Sequence, residues 1–160
     1  MSDTKYAGFW MRFAAFIIDY IVIQLTQSFL IIPILAVFGL GFAAFDFNQL
    51  TDLAEEDIFV LLTSIISMVS SIALLSFLIN LLYYSLMESS KHQATLGKMA
   101  VGIIVTDTNG ERLDFTKAMI RSLGKIISSF IFMIGYIMAA FTEKKQALHD
   151  MIAGTYVVQK

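Results

Sequence analysis

Residues 12–45 read RFAAFIIDYIVIQLTQSFLIIPILAVFGLGFAAF, an apolar run in which Asp19 is the one ionisable side chain after the leading Arg12. A membrane helix needs about 20 mostly apolar residues, and this run is long enough to cross a bilayer. A carboxylate at hydrocarbon depth costs roughly 2.5 to 3.5 kcal/mol on insertion scales, which makes it a functional-site hypothesis by default. Two roles stand open for Asp19: handling a proton, ion or polar solute, or fixing the packing of a partner helix through hydrogen bonds.

Working outward, Ile58 to Met87 carries no charged residue, and neither does the shorter run Ile126 to Thr142. Over the 160 residues, 58% are hydrophobic and 15% charged, with a mean hydropathy of +0.75. That composition belongs to an integral membrane protein rather than a soluble domain. The absence of cysteine excludes disulfides, thiolate metal sites and Cys nucleophiles. Lys5 and Arg12 ahead of an apolar run imitate a secretory signal. The run is too long, however, contains Asp19 and lacks a clear small-residue cleavage site, so it is expected to be retained.

The loop between the first two runs holds Asp46, Asp52, Glu55, Glu56 and Asp57 and no Lys or Arg, whereas the segment after the second run holds Lys91, Lys98, Arg112, Lys117, Arg121 and Lys125. The positive-inside rule then puts the amino terminus and residues 88–125 in the cytoplasm and the acidic loop outside. The third run has Arg121 and Lys125 before it and Lys144 and Lys145 after it. A straight crossing would place the second pair outside, against that rule. A re-entrant or short helical hairpin broken near Gly135 satisfies it, with a tilted third span as the alternative.

Val101 to Thr106 and Glu111 to Phe115 flank Asn109-Gly110, a pair suited to a type I′ turn. The expectation is a β-hairpin over 101–115 in which Asp107 faces Arg112, with Thr155 to Gln159 as a third strand.

Polar residues inside the spans supply the site candidates. Arg12 and Asp19 lie seven positions apart, about 10 Å along one helix face, with Thr26 and Pro33 following at the same interval. Arg12 alone fits a snorkelling anchor at the headgroups. Ser64, Ser67 and Ser71 recur at helical spacing as close-packing contacts. Asn80 has an amide able to meet Asp19 or a solute, and Tyr83 and Tyr84 fit an interfacial aromatic belt.

Three pieces of sequence belong together: Ala7-Gly8-Phe9-Trp10 with Arg12 and Asp19; Ala94-Thr95-Leu96-Gly97-Lys98-Met99 running through Gly102 to Asn109-Gly110; and Gln146-Ala147-Leu148-His149-Asp150 followed by Ala153-Gly154-Thr155. This ordered combination resembles the RDD family of small membrane proteins, named for one arginine and two aspartates, and covers nearly the whole chain. Arg12 and Asp19 match the first two named residues and Asp150 the third. The resemblance implies a transport-related role, with cation/proton antiport among the activities proposed for members. If the third run returns to the cytoplasm, Asp150 shares a side with Arg12 and Arg121, and a carboxylate–guanidinium pair is geometrically open to it. The alternative for Asp150 is ordering the turn before Ala153.

Thr95-Leu96-Gly97-Lys98 lacks the upstream glycine and following hydroxyl of a phosphate loop. His92 and His149 lie far apart in sequence, so no metal site is indicated, and no grouping has the context of a nucleophile elbow. The expected architecture is one all-α integral membrane domain. It has firm spans near 13–44 and 58–87, a third apolar helical element near 118–142, the cytoplasmic hairpin and a strand at 155–159. The expected function is transport-related, without enzyme activity, cofactor or nucleic acid. Asp19 would bind a proton or monovalent cation, Arg12 would act on it electrostatically, and Asn80 and Thr26 would line the path. Two or three helices rarely enclose a pathway, so this requires a homo-oligomer or membrane partner. The competing expectation is a membrane adaptor or assembly factor whose charges are structural and whose hairpin binds a partner.

Overall fold

The computed structural model describes residues 5–43, 54–130 and 134–160. Helices α1 (Phe9–Ala43) and α2 (Glu55–Glu88) are the long apolar runs, and both are long and apolar enough to cross a membrane. Glu55, Glu56 and Asp57 form the first turn of α2, where carboxylates meet the positive end of the helix dipole. The acidic loop residues 46–53 lie outside the described residues. There follow α3 (Leu96–Val101), β1 (Ile103–Asp107), α4 (Phe115–Phe130), α5 (Ile134–Phe141), α6 (Leu148–Ala153) and β2 (Thr155–Gln159).

Residues 23–79 make one compact unit and residues 1–22 with 80–160 another. In the first, Gln27 Nε2 donates to the Ser76 carbonyl at 3.2 Å, and Pro33 lies inside a helix that continues to Ala43. Ser64 and Ser71 are exposed rather than packed. Their hydroxyls bond back to Val60 and Ser67 of the same helix, which lets them stand on an apolar surface without an orphaned donor.

In the second unit, β1 pairs antiparallel with β2, Val105 opposite Val157. The hairpin expected over 101–115 is therefore not the pairing that forms. The turn is present, with Gly110 at φ 84° and its N–H on the Asp107 carbonyl at 3.2 Å. After Glu111, however, the chain turns into α4, whose Lys117 N–H is bonded by Asp114 at 2.6 Å. Asp107 does not pair with Arg112. Its Oδ1 accepts the N–H groups of Asn109 and Glu111, and Lys117 stands 3.7 Å away. Those bonds, with Lys117, hold its carboxyl below the usual range. The segment that adds to the far edge of β2 is the amino terminus, with the Ala7 N–H on the Val157 carbonyl at 2.8 Å and the Gln159 N–H on Lys5 at 2.9 Å. Ala7, Ile103, Val105, Leu113 and Val157 form the apolar core beneath.

The third apolar run folds as two helices lying back along each other. Gly135 sits against Ser128, where an added Cβ would come within 2.7 Å of the serine hydroxyl, and the Tyr136 hydroxyl reaches the Lys125 carbonyl at 3.4 Å. Gly135 thus serves close packing inside α5 rather than a break.

The second unit is built twice from one chain path. In each copy a residue at positive φ (Gln93, 52°; Lys145, 47°) precedes an extended N-cap residue (Thr95; Ala147), a six-residue helix and a left-handed glycine (Gly102; Gly154). A five-residue strand completes each copy. Leu96, Met99, Gly102 and Val105 recur as Leu148, Met151, Gly154 and Val157 at identical spacing. Since Val105 faces Val157 in the ladder, a local two-fold relates the copies. The helical hairpins correspond as well. Gly97 lies against Ala15 of α1, and its counterpart His149 against Gly124 of α4. Tyr83 meets Asp19, and its counterpart Gly135 meets Ser128. The path α1-α2-α3-β1 is therefore repeated as α4-α5-α6-β2, with residues 23–79 interposed in the first hairpin.

Candidate functional site

Asp19 is 1% exposed. Its Oδ1 accepts the Gly97 N–H at 2.7 Å and the Tyr83 hydroxyl at 2.8 Å, and its Oδ2 accepts the Thr95 hydroxyl at 2.6 Å. Thr95 is the N-cap of α3, and the Tyr83 hydroxyl in turn accepts the Leu96 N–H at 3.2 Å. The carboxylate thus sits on the orphan N–H groups at the start of α3, where the helix dipole favours negative charge. Gly97 makes this possible, because a Cβ there would fall 2.1 Å from the Ala15 carbonyl oxygen and 2.9 Å from the Asp19 carboxyl. The Thr-Leu-Gly-Lys segment receives a carboxylate of its own chain.

Arg12 does not join Asp19. Its Nη1 pairs with Asp150 Oδ2, while Nε and Nη2 donate to the carbonyls of Ala7 at 3.0 Å and Lys145 at 2.7 Å. Arg121, 1% exposed, brings Nε and Nη2 onto Asp150 Oδ1 at 2.9 and 2.7 Å, and its Nη1 onto Glu88 Oε2. Asp150 also accepts the Ala147 N–H at 3.1 Å, closing the first turn of α6. Both expected roles of Asp150 are therefore present together. Burial opposes its ionisation, but Arg121, His149 and Arg12 outweigh burial and hold its carboxyl well below the usual range.

Glu88, fully buried at the end of α2, is the member that the sequence reading missed. Lys98 Nζ and Lys125 Nζ share its Oε1 at 2.5 and 3.1 Å, and Arg121 holds its Oε2. Lys125 Nζ also lies 3.5 Å above the Tyr84 ring, so Tyr83 and Tyr84 serve the interior rather than an aromatic belt. Burial pushes Lys98 down to about 8, with Arg121 adding to the effect and Glu88 opposing it. His149 is buried beside Asp150, Nε2 to Oδ1 3.5 Å, and burial pushes it down to about 3. Its Nδ1 lacks a hydrogen-bond partner among the described residues. Asn80 is half-buried on α2, and Thr26 is exposed in the other unit.

The cluster thus joins Arg12, Lys98, Arg121 and Lys125 to the two carboxylates of Glu88 and Asp150. Among the described residues four basic groups face two carboxylates, and burial, which makes uncompensated charge costly, pushes Lys125 down to about 7 as it does Lys98 to about 8. Glu88 was legible as the residue ending an otherwise uncharged run. Lys98 and Lys125 were hidden among charges that the positive-inside rule already explains.

No solved structure matches the chain. It is similar to three proteins of Bacillus subtilis (strain 168). The uncharacterized protein YxaI is 37% identical over 98% of this chain and 99% of its own length. The uncharacterized membrane protein YteJ is 32% identical over 97% and 82%, and the uncharacterized protein YckC is 27% identical over 98% and 87%. The RDD family matches residues 6–154, the stretch that contains Arg12, Asp19 and Asp150. The chain is a membrane protein and belongs to the RDD family.

Proposed function

We propose that the chain is a non-enzymatic, transport-related membrane protein that exchanges a monovalent cation for a proton at Glu88. The observation that carries this reading is that one Glu88 oxygen is shared by Lys98 and Lys125 while Arg121 holds the other. Two lysines on one carboxylate oxygen, both pushed down by burial, supply a proton that an entering cation can displace. A cation that takes Glu88 displaces a proton to water from one of the two lysines on its Oε1, Lys125 or Lys98; one positive charge enters, one leaves, and the charge of the site is unchanged. Asp19 and Tyr83 position Lys98 by fixing the start of α3, and Arg12, Arg121 and Asp150 hold the two repeats together around Glu88. Ion sites at the interface of internal repeats are a recurring transporter design.

In this reading the amino terminus, residues 88–125 and the carboxyl terminus belong to the cytoplasmic side of the membrane, the acidic loop lies outside, and α4–α5 returns to the side it came from. A homo-oligomer or membrane partner completes the pathway. An adaptor role is the second reading, and part of the edge that a partner strand would use is already bonded within the chain. Lys5 and Ala7 bond β2, and the Val105 N–H of β1 bonds the Gln93 carbonyl at 2.7 Å. The test is pH-gradient-driven cation flux in proteoliposomes. Glu88→Gln is expected to abolish flux while the exposed control Lys117→Gln retains it. Absence of flux from the intact protein overturns the transport reading in favour of the adaptor.

A further inference from the structure

The short helices of the second unit are inside out. On α4, Ala118, Arg121, Ser122 and Ser128 are buried, while Phe115, Ile120, Leu123 and Ile127 are 40–50% exposed; the exposed charge of this helix, Lys117, lies in its first turn beside Asp107. On α3, Lys98 is buried and Leu96 and Met99 are exposed; on α6, His149 and Asp150 are buried and Met151 and Ile152 exposed. The sheet of the same unit follows the opposite, water-facing pattern. Ile103, Val105 and Val157 are buried, Gln159 at the end of β2 is exposed, and so are Lys160 after it and Asn109 in the turn that follows β1. A helix that encloses its charges and displays its apolar side chains suits hydrocarbon and not water.

Two further observations name what covers this surface. Within the same unit, Trp10, Phe13 and Ile17 of α1 are exposed at the start of a candidate membrane span, so the unit that displays these apolar faces also carries the beginning of a segment suited to lipid. The internal repeat also gives α4–α5 the place that the α1 and α2 segments occupy in the first copy, and those segments are the ends of membrane helices.

We infer that the outer faces of α3, α4 and α6 are immersed in the acyl chains of the leaflet next to the sheet, without crossing it, so that the Glu88–Asp150 cluster lies below the headgroups. This revises the expectation that all of 88–125 is bathed in cytoplasm, and it stands independently of any transport activity. The turn at 107–111 and the sheet would face water.

The native chain has no cysteine, so single cysteines can be spin-labelled at Leu123, Ile127 and Ile152, with Asn109 and Glu111 as controls, in liposomes of mixed neutral and anionic lipid. Ile120 supplies a second position on the α4 face should the label at Ile127 disturb folding. Collision with oxygen is expected to exceed collision with a water-soluble nickel chelate at the three helix positions, and the order is expected to reverse at the controls. Nickel-dominated collision at Leu123 and Ile127 would overturn the inference, as the signature of water. Low collision with both reagents would overturn it equally, as the signature of another protein or a second copy covering the face.

Discussion

Gly97→Ala is the substitution whose outcome the structure determines most sharply, because two effects of opposite sign compete. Replacing glycine by alanine within a helix ordinarily stabilises by about 1 kcal/mol through backbone entropy. Here the added methyl would lie 2.1 Å from the Ala15 carbonyl oxygen and 2.9 Å from the Asp19 carboxyl. Relief to ordinary contact requires α3 to withdraw from α1 by about 1 Å or more. That withdrawal opens the Gly97 N–H bond to Asp19, now 2.7 Å, and strains the Thr95 hydroxyl bond, now 2.6 Å. Hydrogen bonds to a charged group contribute about 1.5 to 3 kcal/mol each, and overpacking adds about 1 to 3. The net expectation is a loss of about 3 to 5 kcal/mol, read by denaturant or thermal unfolding in detergent micelles. Gly39→Ala, where nothing lies within 4 Å of the new Cβ, is the internal control and is expected to be neutral or stabilising. In an Asp19→Asn background the Gly97→Ala penalty should shrink, since the charged acceptor is already lost. If Gly97→Ala is as stable as the native chain, the account of how Asp19 docks on α3 is wrong.

Arg121→Met removes the guanidinium that bridges two buried carboxylates, taking both side-chain donors from Asp150 Oδ1 and the donor from Glu88 Oε2. A loss of about 3 to 5 kcal/mol is expected, seen as reduced folded yield on size-exclusion chromatography, with Arg121→Lys retaining only part of the stability because it cannot hold both acids at once. Burial keeps His149 near pKa 3 in the folded chain, whereas the unfolded chain binds its proton near 6.5. Stability therefore falls as pH drops below 6.5, by up to about 1.4 kcal/mol per pH unit. His149→Asn should flatten the pH dependence of the thermal midpoint between pH 6.5 and 4.5, and His92→Asn, at an exposed position, should not. Asp150→Asn weakens its bonds to both arginines while keeping the side chain's size, and limited proteolysis should then open the 143–150 connection first.

The long helices and the membrane class were legible in composition and charge placement, because an uncharged run of that length has few other fates. Arg12, Asp19 and Asp150 were legible as a set through the family resemblance, and the Arg12–Asp150–Arg121 pairing was open to them if the third run folds back. Their partners were not. Asp19 meets Tyr83, Thr95 and Gly97 across more than sixty positions of chain, and no local pattern announces so distant a contact. The strand at 103–107 was foreseen, but Asn109-Gly110 fits a tight turn whether a strand or a helix follows. Asp114 on the Lys117 N–H settles that choice for the helix. The repeat did leave a trace in Leu96, Met99, Gly102 and Val105 against Leu148, Met151, Gly154 and Val157. It is masked because the intervening positions, such as Lys98 and Asp150, carry opposite charge and serve one cluster from two sides.

The most direct measurement of exchange at Glu88 is proton release from the purified protein in weakly buffered detergent solution when sodium or potassium chloride is added, with choline chloride at equal ionic strength as the reference. The account predicts a saturable, cation-specific release from the native chain that disappears in Glu88→Gln. Identical traces for choline and the metal cations with the native chain, or an undiminished release from Glu88→Gln, would contradict it.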